Sequence, residues 1–390
     1  MEAALDRIRK EAAGGEDARR KVIVALQSLV GSLETPDDTL HRYGHMVGPP
    51  LLYVYGQRRR TDREEQNLQT ATIQVGVNLG LFKHLAEASE PLAVDRIAEK
   101  TKAEPQLICV VDESGRGEYT ANQVTRNLTE KSVEAGISHF FGLTAPQYQC
   151  LPDLLKQTGY KTPVDDAKTA FHLAFRTTLD PFSWFAQNSA YLADFHTYHA
   201  LRRQPDVTWL SVYPVETEAA GWPVGEPLYV NVGGGVGHQC AQFKEKYPRL
   251  DGRVILQDLP HTVAEAPPTP GVENMAYNMF RPQPVIGAKF YHLRAVFHNQ
   301  APYKVRMLLE ILKAAMTPES VLLVDEMVLP EEKVNYMAAS IDMTMLAAFA
   351  SMERTEAQWK AVFEDVGLRM VRTYTYSPLS YESVMDVRLQ

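Results

Sequence analysis

Cysteine is scarce in this chain. Its 390 residues include only Cys109, Cys150 and Cys240, scattered and odd in number. That excludes a disulfide scaffold and a cysteine-based zinc cluster and suits a reducing compartment, so a cytoplasmic location is expected. A surplus of basic residues is missing as well. Forty Lys and Arg stand against 48 Asp and Glu, a net charge of −8, which withholds the electrostatic footprint of a nucleic-acid binder. No apolar run reaches the ~20 residues of a membrane span. The opening residues, MEAALDRIRKE, read as a charged helical start without the apolar stretch of a secretion signal. There is no internal repeat and no low-complexity tract. What is present is 45 % hydrophobic and 23 % charged, the composition of a globular protein, and the length suggests two or three domains. The bounded expectation is an enzyme or ligand-binding protein with no membrane or nucleic-acid partner.

Residues 1–130 are mostly helical in pattern. Val22–Leu33 carries apolar residues at helical spacing, and Leu68–Ala86 does so again, with Gly80 as a kink or packing site. Pro91–Thr101 reads as a short helix, and Gly115–Leu128 as a turn with a short strand on either side. Two helices and a small hairpin suggest a winged-helix-like unit, which in an acidic chain suits a partner subunit better than DNA. Val47–Gln66, with two prolines and three consecutive arginines, reads as a surface loop. Residues 131–215 read as a helical linker that contributes to a substrate pocket. Residues 216–390 alternate strand and helix: Leu228–Val232, Arg253–Gln257, Lys289–Phe297 and Ser320–Leu329 as strands, with helices between them, then Leu368–Tyr376 and Ser383–Leu389 joined without a helix. That pattern predicts an α/β fold, a doubly wound and mostly parallel sheet with an antiparallel C-terminal edge.

The strongest local signal is LYVNVGGGVGHQC. A buried strand ends in Gly233, Gly234, Gly235, Val236 and Gly237, and a helix follows. Glycines there permit a sharp turn and close backbone approach to a ligand, and the helix N-terminus presents free N–H groups. Asp258 sits at the tip of the next strand, 21 residues beyond Gly237, where a ribose-binding carboxylate belongs. The spacing GxGxG suits S-adenosylmethionine better than a dinucleotide.

With the segments YNMF, FYHLRAVFHN, LLVDEMVLP and MERTEAQWKAVFEDVGL following in that order, the sequence resembles the caffeate-type O-methyltransferases of plants and fungi. The likeness is dense over the C-terminal half and looser over the N-terminal helices. It implies a class I methyltransferase fold preceded by a winged-helix-like dimerisation domain, a homodimer, and S-adenosyl-L-methionine as cofactor. Carried over residue by residue, it implies cofactor contacts from Gly233, Gly234, Gly235, Gly237, Asp258, Asn278, Met279 and Arg294. It makes His298 the general base and Glu326 and Glu353 the acids that orient it. The chemistry agrees: a histidine titrating near neutrality takes the proton of the acceptor, and a carboxylate on its other ring nitrogen fixes the tautomer. No metal is implied, since the carboxylates are dispersed along the chain without ligand spacing.

Some positions depart from the family pattern. Asn231 and Asn278 stand where the family has acids, and Asn299-Gln300 follow the base in place of Asp-Trp. His139 and the aromatic segment with Phe182, Trp184 and Phe185 are candidates for lining a flat apolar acceptor pocket, although core or interface packing explains them as readily. Two alternatives compete with methyl transfer. Fungal proteins of the leporin type resemble this family but use bound S-adenosylmethionine to promote dehydration or pericyclic ring closure. A scaffold without catalysis is the other. The retained His298, Glu326 and Glu353 favour an O-methyltransferase acting on a hydroxyl of a secondary metabolite.

Overall fold

A computed structural model describes residues 2–44, 61–105, 113–202 and 208–390. They form two compact units, Met1–Leu143 with Ala193–Leu201, and Thr144–Leu192 with Arg202–Gln390.

The first unit is helical, as its patterning predicts. Helices Pro36–Gly44, Thr61–Asn78 and Lys131–His139 enclose a core of Leu40, Ile73, Phe82, Val133, Ile137, Phe140 and Tyr198. Asn127 ties the unit together, because its buried Nδ2 donates to the Glu34 carbonyl and to Thr39 Oγ1, each at 2.9 Å. A small antiparallel sheet pairs Leu92–Ala93 with Glu118–Tyr119, and Glu118–Tyr119 with Glu113–Gly115. Three expectations are corrected here. The run Leu68–Ala86 is not one helix: it breaks at Gly80, whose φ of +64° stops one helix and starts the next, Leu81–Ala86. The end of the expected loop, residues 61–66, already belongs to a helix; residues 47–60 of it lie outside the described residues. Beyond the hairpin, Gln123–Asn127 is helical, because Asn122 Oδ1 accepts from Thr125 N (2.8 Å) and closes a capping box.

The second unit holds the large sheet. Its main strands are numbered β1 (Pro227–Val232), β2 (Arg253–Asp258), β3 (Val272–Ala276), β4 (Phe290–Arg294), β5 (Val321–Leu329), β6 (Leu368–Ser377) and β7 (Glu382–Leu389). Their order is β3-β2-β1-β4-β5-β7-β6. β1 to β5 run parallel, and β7 is antiparallel to both β5 and β6. The antiparallel edge is therefore present, with the last strand inserted inside it. β3 was not legible as a strand: none of its residues is fully buried, so it lacks an apolar signature.

β1 and β4 are buried at every position, so both sheet faces must be covered. Val230, Val232, Tyr291, Leu293, Leu322 and Val324 point to one face, under helices Pro302–Ala315 and Glu356–Asp365. Leu228, Phe290, Val321 and Leu323 join the opposite face with Trp209, Phe243 and Tyr247. There Phe243 stacks on Tyr229 with ring centroids 4.4 Å apart and planes 10° apart. The strand order turns back between β1 and β4, so ligands belong at the carboxyl ends of these two strands.

Phe243 is fully buried, so Phe243→Ala is expected to lower unfolding free energy by about 3–5 kcal/mol. Urea unfolding checks this, and a loss below about 1 kcal/mol would show that the stack is not a main support of this face.

Candidate functional site

At the end of β1 the chain turns through Gly233 (φ +67°), Gly235 (φ +62°) and Gly237 (φ +90°) into helix His238–Lys246. The amides of Gly233 and Gly234 both donate to the Gln257 carbonyl of β2, at 2.8 and 3.1 Å. Gly235 N donates to Asp258 Oδ2 at 2.8 Å, and Leu259 N to Oδ1 at 2.7 Å. Burial raises the Asp258 carboxyl, and those two amides, Thr262 and His261 oppose the rise.

The glycines are not equivalent. A Cβ on Gly233 would lie 2.9 Å from Val296 Cγ2, and one on Gly234 would lie 2.6 Å from Leu256 Cδ1 and strike the Asn231 carboxamide. These two serve packing. A Cβ on Gly235 meets nothing within 4 Å, so this position opens onto space beside Asp258. Asn278 and Met279 follow β3: Asn278 is exposed and Oδ1 caps its own turn by accepting from Phe280 N (3.0 Å), while Met279 is half-buried against the core. An open glycine turn beside a positioned carboxylate fits a nucleoside-bearing cofactor of the S-adenosylmethionine kind.

Arg294, at the end of β4, is buried with its guanidinium 3.6 Å from Asp325 Oδ2 and 3.4 Å from Glu382 Oε1. Asp325 also accepts from Tyr376 OH at 2.7 Å and lies 3.4 Å from His292 Nε2. Burial pushes the Asp325 carboxyl up, but Arg294, His292 and Tyr376 outweigh it and hold it below its ordinary value. His292 is driven down by burial, against the pull of Asp325.

Beyond β4, Ala295 takes a φ of +51° and the turn Phe297–Asn299 presents His298. Glu326 Oε1 on β5 accepts from the amides of Val296 (3.0 Å) and Phe297 (2.7 Å). His298 Nδ1 pairs with Glu353 Oε1 at 2.7 Å, with Glu353 almost fully enclosed and 18 % of the His298 side chain still exposed. The acids therefore divide the work: Glu353 holds the ring and Glu326 holds the backbone that carries it. The carboxylates that look dispersed in sequence converge on folding, since one donor atom from each of His298, Glu326 and Glu353 lies within 4.8 Å of the others. Glu326 Oε2 is buried with no hydrogen-bond partner, and burial lifts this carboxyl to about 7, against the opposing influence of His298.

Two residues here were not found in the sequence. Asp342, on helix Tyr336–Phe349, accepts from Glu353 N at 2.8 Å. Arg354, 3 % exposed, lies over the Trp359 ring at 5.1 Å. Its place directly after Glu353 in MERT was the available signal.

The aromatic candidates belong to helix Pro181–Gln187, which Asp180 caps by accepting from Phe182 N and Ser183 N. Phe182 stacks on Phe349 with centroids 5.8 Å apart, at the end of the helix that bears Asp342. Trp184 packs among Phe171, Phe175 and Tyr191, and Phe185 is buried beside Phe182 and Trp184. His139 lies in the other unit, among Phe140, Phe195, Tyr198 and His199. Its Nδ1 is enclosed without a hydrogen bond, and burial lowers the ring to about 4.

The sheet order, the glycine turn and the carboxylate on the next strand together define a class I S-adenosylmethionine-dependent methyltransferase. Comparison with known proteins narrows this. Residues 225–369 match the model of the O-methyltransferase domain. The chain is 34 % identical to the O-methyltransferase ucdC of Aspergillus ustus over 97 % of both chains. Among solved structures, LepI in complex with SAM superimposes with a TM-score of 0.79 at 31 % identity, covering 100 % of this chain and 98 % of that one. A structure described as a pericyclic reaction enzyme gives 0.78 at 31 % identity with the same coverage. The chain belongs to the fungal O-methyltransferase family and uses S-adenosyl-L-methionine.

Two outcomes follow from this geometry. Gly235→Ala is expected to abolish S-adenosylmethionine binding in calorimetry while costing the fold only the roughly 1–2 kcal/mol of its left-handed φ, whereas Gly234→Ala, which strikes Asn231 and Leu256, is expected to destabilise the fold by more; equal effects would refute the distinction. Glu326 titrates near 4.5 when unfolded and near 7 when folded, so between those values the folded state binds more protons. Stability is therefore expected to fall as pH rises through this window, by on the order of 3 kcal/mol at most, and then to level off. Glu326→Gln is expected to flatten that slope in denaturant titrations from pH 4.5 to 8, and an unchanged slope would exclude Glu326 as its source.

Proposed function

We propose that His298 is the general base in transfer of a methyl group to a hydroxyl of a small secondary metabolite. The observation that carries this is the 2.7 Å bond from His298 Nδ1 to the enclosed Glu353. With its Nδ1–H donated to a carboxylate, the ring takes a proton at Nε2, and Glu353 stabilises the imidazolium that forms. The cofactor, when bound, supplies an electrophilic methyl group on a sulfonium. Gly235 and Asp258 are the residues best placed to receive its nucleoside part, with Met279 against the base. The positions of Asn278 and Arg294 in the family pattern support cofactor contacts from them too. Phe182, Trp184 and Phe185 are proposed to form an apolar acceptor wall, in keeping with their aromatic surroundings, and His139, in the first unit, is proposed separately as a substrate-facing residue. Dimerisation through the helical unit, in a winged-helix-like arrangement, and a cytoplasmic location complete the reading. The free thiols of Cys150 and Cys240 and the lack, among the described residues, of any helix long and apolar enough to cross a membrane agree with it.

Similarity to a pericyclic reaction enzyme over nearly the whole chain supports a second reading, in which bound S-adenosylmethionine promotes ring closure without being consumed. The two separate in one experiment. Purified protein is incubated with S-adenosylmethionine and a metabolite extract from the producing cells, beside His298→Ala. Mass spectrometry is expected to show a product heavier by one methyl group and equimolar S-adenosylhomocysteine, reduced about 10²–10⁴-fold in the variant. An isomerised or dehydrated product with the cofactor unconsumed would overturn methyl transfer.

A further inference from the structure

We propose that His298, Glu326 and Glu353 form a binding site for a divalent transition-metal ion of the zinc type, and that an ion held there switches the base off. The switch rests on the reading of His298 as base; the site does not.

The three residues come from separate elements. His298 belongs to the turn Phe297–Asn299, Glu326 to β5, and Glu353 directly precedes the two-residue strand Arg354–Thr355. Folding brings one donor atom of each within 4.8 Å of the others. Acids that gather on a surface need hold no ion, but these are not on the surface: Glu326 is 3 % exposed and Glu353 4 %. A second observation points to a ligand. Glu326 Oε1 is taken by the amides of Val296 and Phe297, while Oε2 is enclosed with no hydrogen-bond partner. An enclosed carboxylate oxygen with nothing bound to it is costly, and a cation satisfies it.

The donor set selects the ion. One imidazole nitrogen and two carboxylates, with water in a fourth place, suit zinc, whereas calcium and magnesium take oxygen ligands. Zinc bonds of about 2.0–2.2 Å set tetrahedral donors about 3.4 Å apart. Closure onto an ion therefore asks for little more than about one ångström of movement, shared among three side chains. The ion has a way in, because 18 % of the His298 side chain is exposed. Nδ1, 2.7 Å from Glu353 Oε1, is the ring nitrogen that faces Glu353. In the base it carries the ring proton and Nε2 is the acceptor. An ion on Nδ1 moves that proton to Nε2, so the nitrogen that would take the substrate's proton already holds one.

The test uses the full chain with no acceptor present. Zn²⁺ is titrated by calorimetry into wild type, Glu326→Gln and His298→Ala, each checked for folding by circular dichroism, with Mg²⁺ as the comparison ion. Glu326→Gln keeps a carbonyl oxygen for the two amides and puts an amide nitrogen, which ligates no metal, in place of Oε2. Wild type is expected to bind one Zn²⁺ that is weakened at least about 10-fold in both variants, with no matching Mg²⁺ site. In methylation assays on the metabolite extract, Zn²⁺ is expected to lower the rate and EDTA to restore it. Equal Zn²⁺ affinity and stoichiometry in wild type and the folded variants would overturn the site, the ion then resting on thiols or surface histidines. If Glu326→Gln does not fold, His298→Ala decides alone. Zn²⁺ bound at the site with methyl transfer unimpeded would overturn the switch. Absence of methylated product from wild type without Zn²⁺ would instead overturn the reading of His298 as base, and calorimetry would still decide the site.

Discussion

The geometry of the site depends on one buried oxygen, Glu326 Oε1. It accepts from two successive amides, Val296 and Phe297, just after Ala295 has taken a left-handed conformation. A non-glycine residue there costs roughly 1 kcal/mol or more, and it persists because its surroundings fix it. Ala295 N donates to the Asp325 carbonyl, and Asn299 Nδ2 donates to the Ala295 carbonyl at 3.0 Å. Phe297 is fully buried edge-on to Trp359. The turn is thus clamped from both sides, and His298 projects from it in a fixed direction. Glu326 Oε1 is committed to the backbone, and the ring is held by Glu353.

The adjacent acids of β5 show how strand alternation separates two polar systems. Asp325 and Glu326 necessarily point to opposite faces. Asp325 joins Tyr229, Asn231, His292, Arg294 and Tyr376 in a buried network, with Tyr229 OH 2.8 Å from His292 Nδ1. Glu326 joins His298 and Glu353. One face is therefore anchored by an ionised carboxylate on a guanidinium, which resists protonation, and the other carries a carboxyl that burial places near neutrality.

Much of this was readable in the sequence. The strands β1, β2, β4, β5 and the final pair have dense apolar runs, and the glycine turn has a spacing with few structural alternatives. Asp258, His298, Glu326 and Glu353 were legible because each stands at a strand end or in a recognisable segment. β3 was not, because an outer strand that covers little apolar area has no reason to look hydrophobic. The break at Gly80 was visible as a glycine but not as a change of direction, which depends on φ. Arg354 and Asp342 escaped because a charged residue in a polar stretch looks like surface. Only packing of Trp359 beneath the guanidinium, and of the Asp342 carboxylate on an amide, takes them inside.

The departure at Asn231 has a physical explanation. An acid at this position would have two acceptor oxygens and no donor when ionised. Asn231 has both: Nδ2 lies 3.3 Å from the His292 ring and from its carbonyl, while Oδ1 faces the thiol of Cys240. Burial keeps that thiol and the His292 ring uncharged. A carboxylate there would face the His292 carbonyl without a proton to share, close to an ionised Asp325. It would either pull a proton onto His292, breaking the balance with Arg294, or remain an uncompensated buried charge. The carboxamide satisfies the same space at no charge. Gly234 packs directly on it, so the side chain that supports the glycine turn is neutral, and the negative charge beside that turn is concentrated at Asp258.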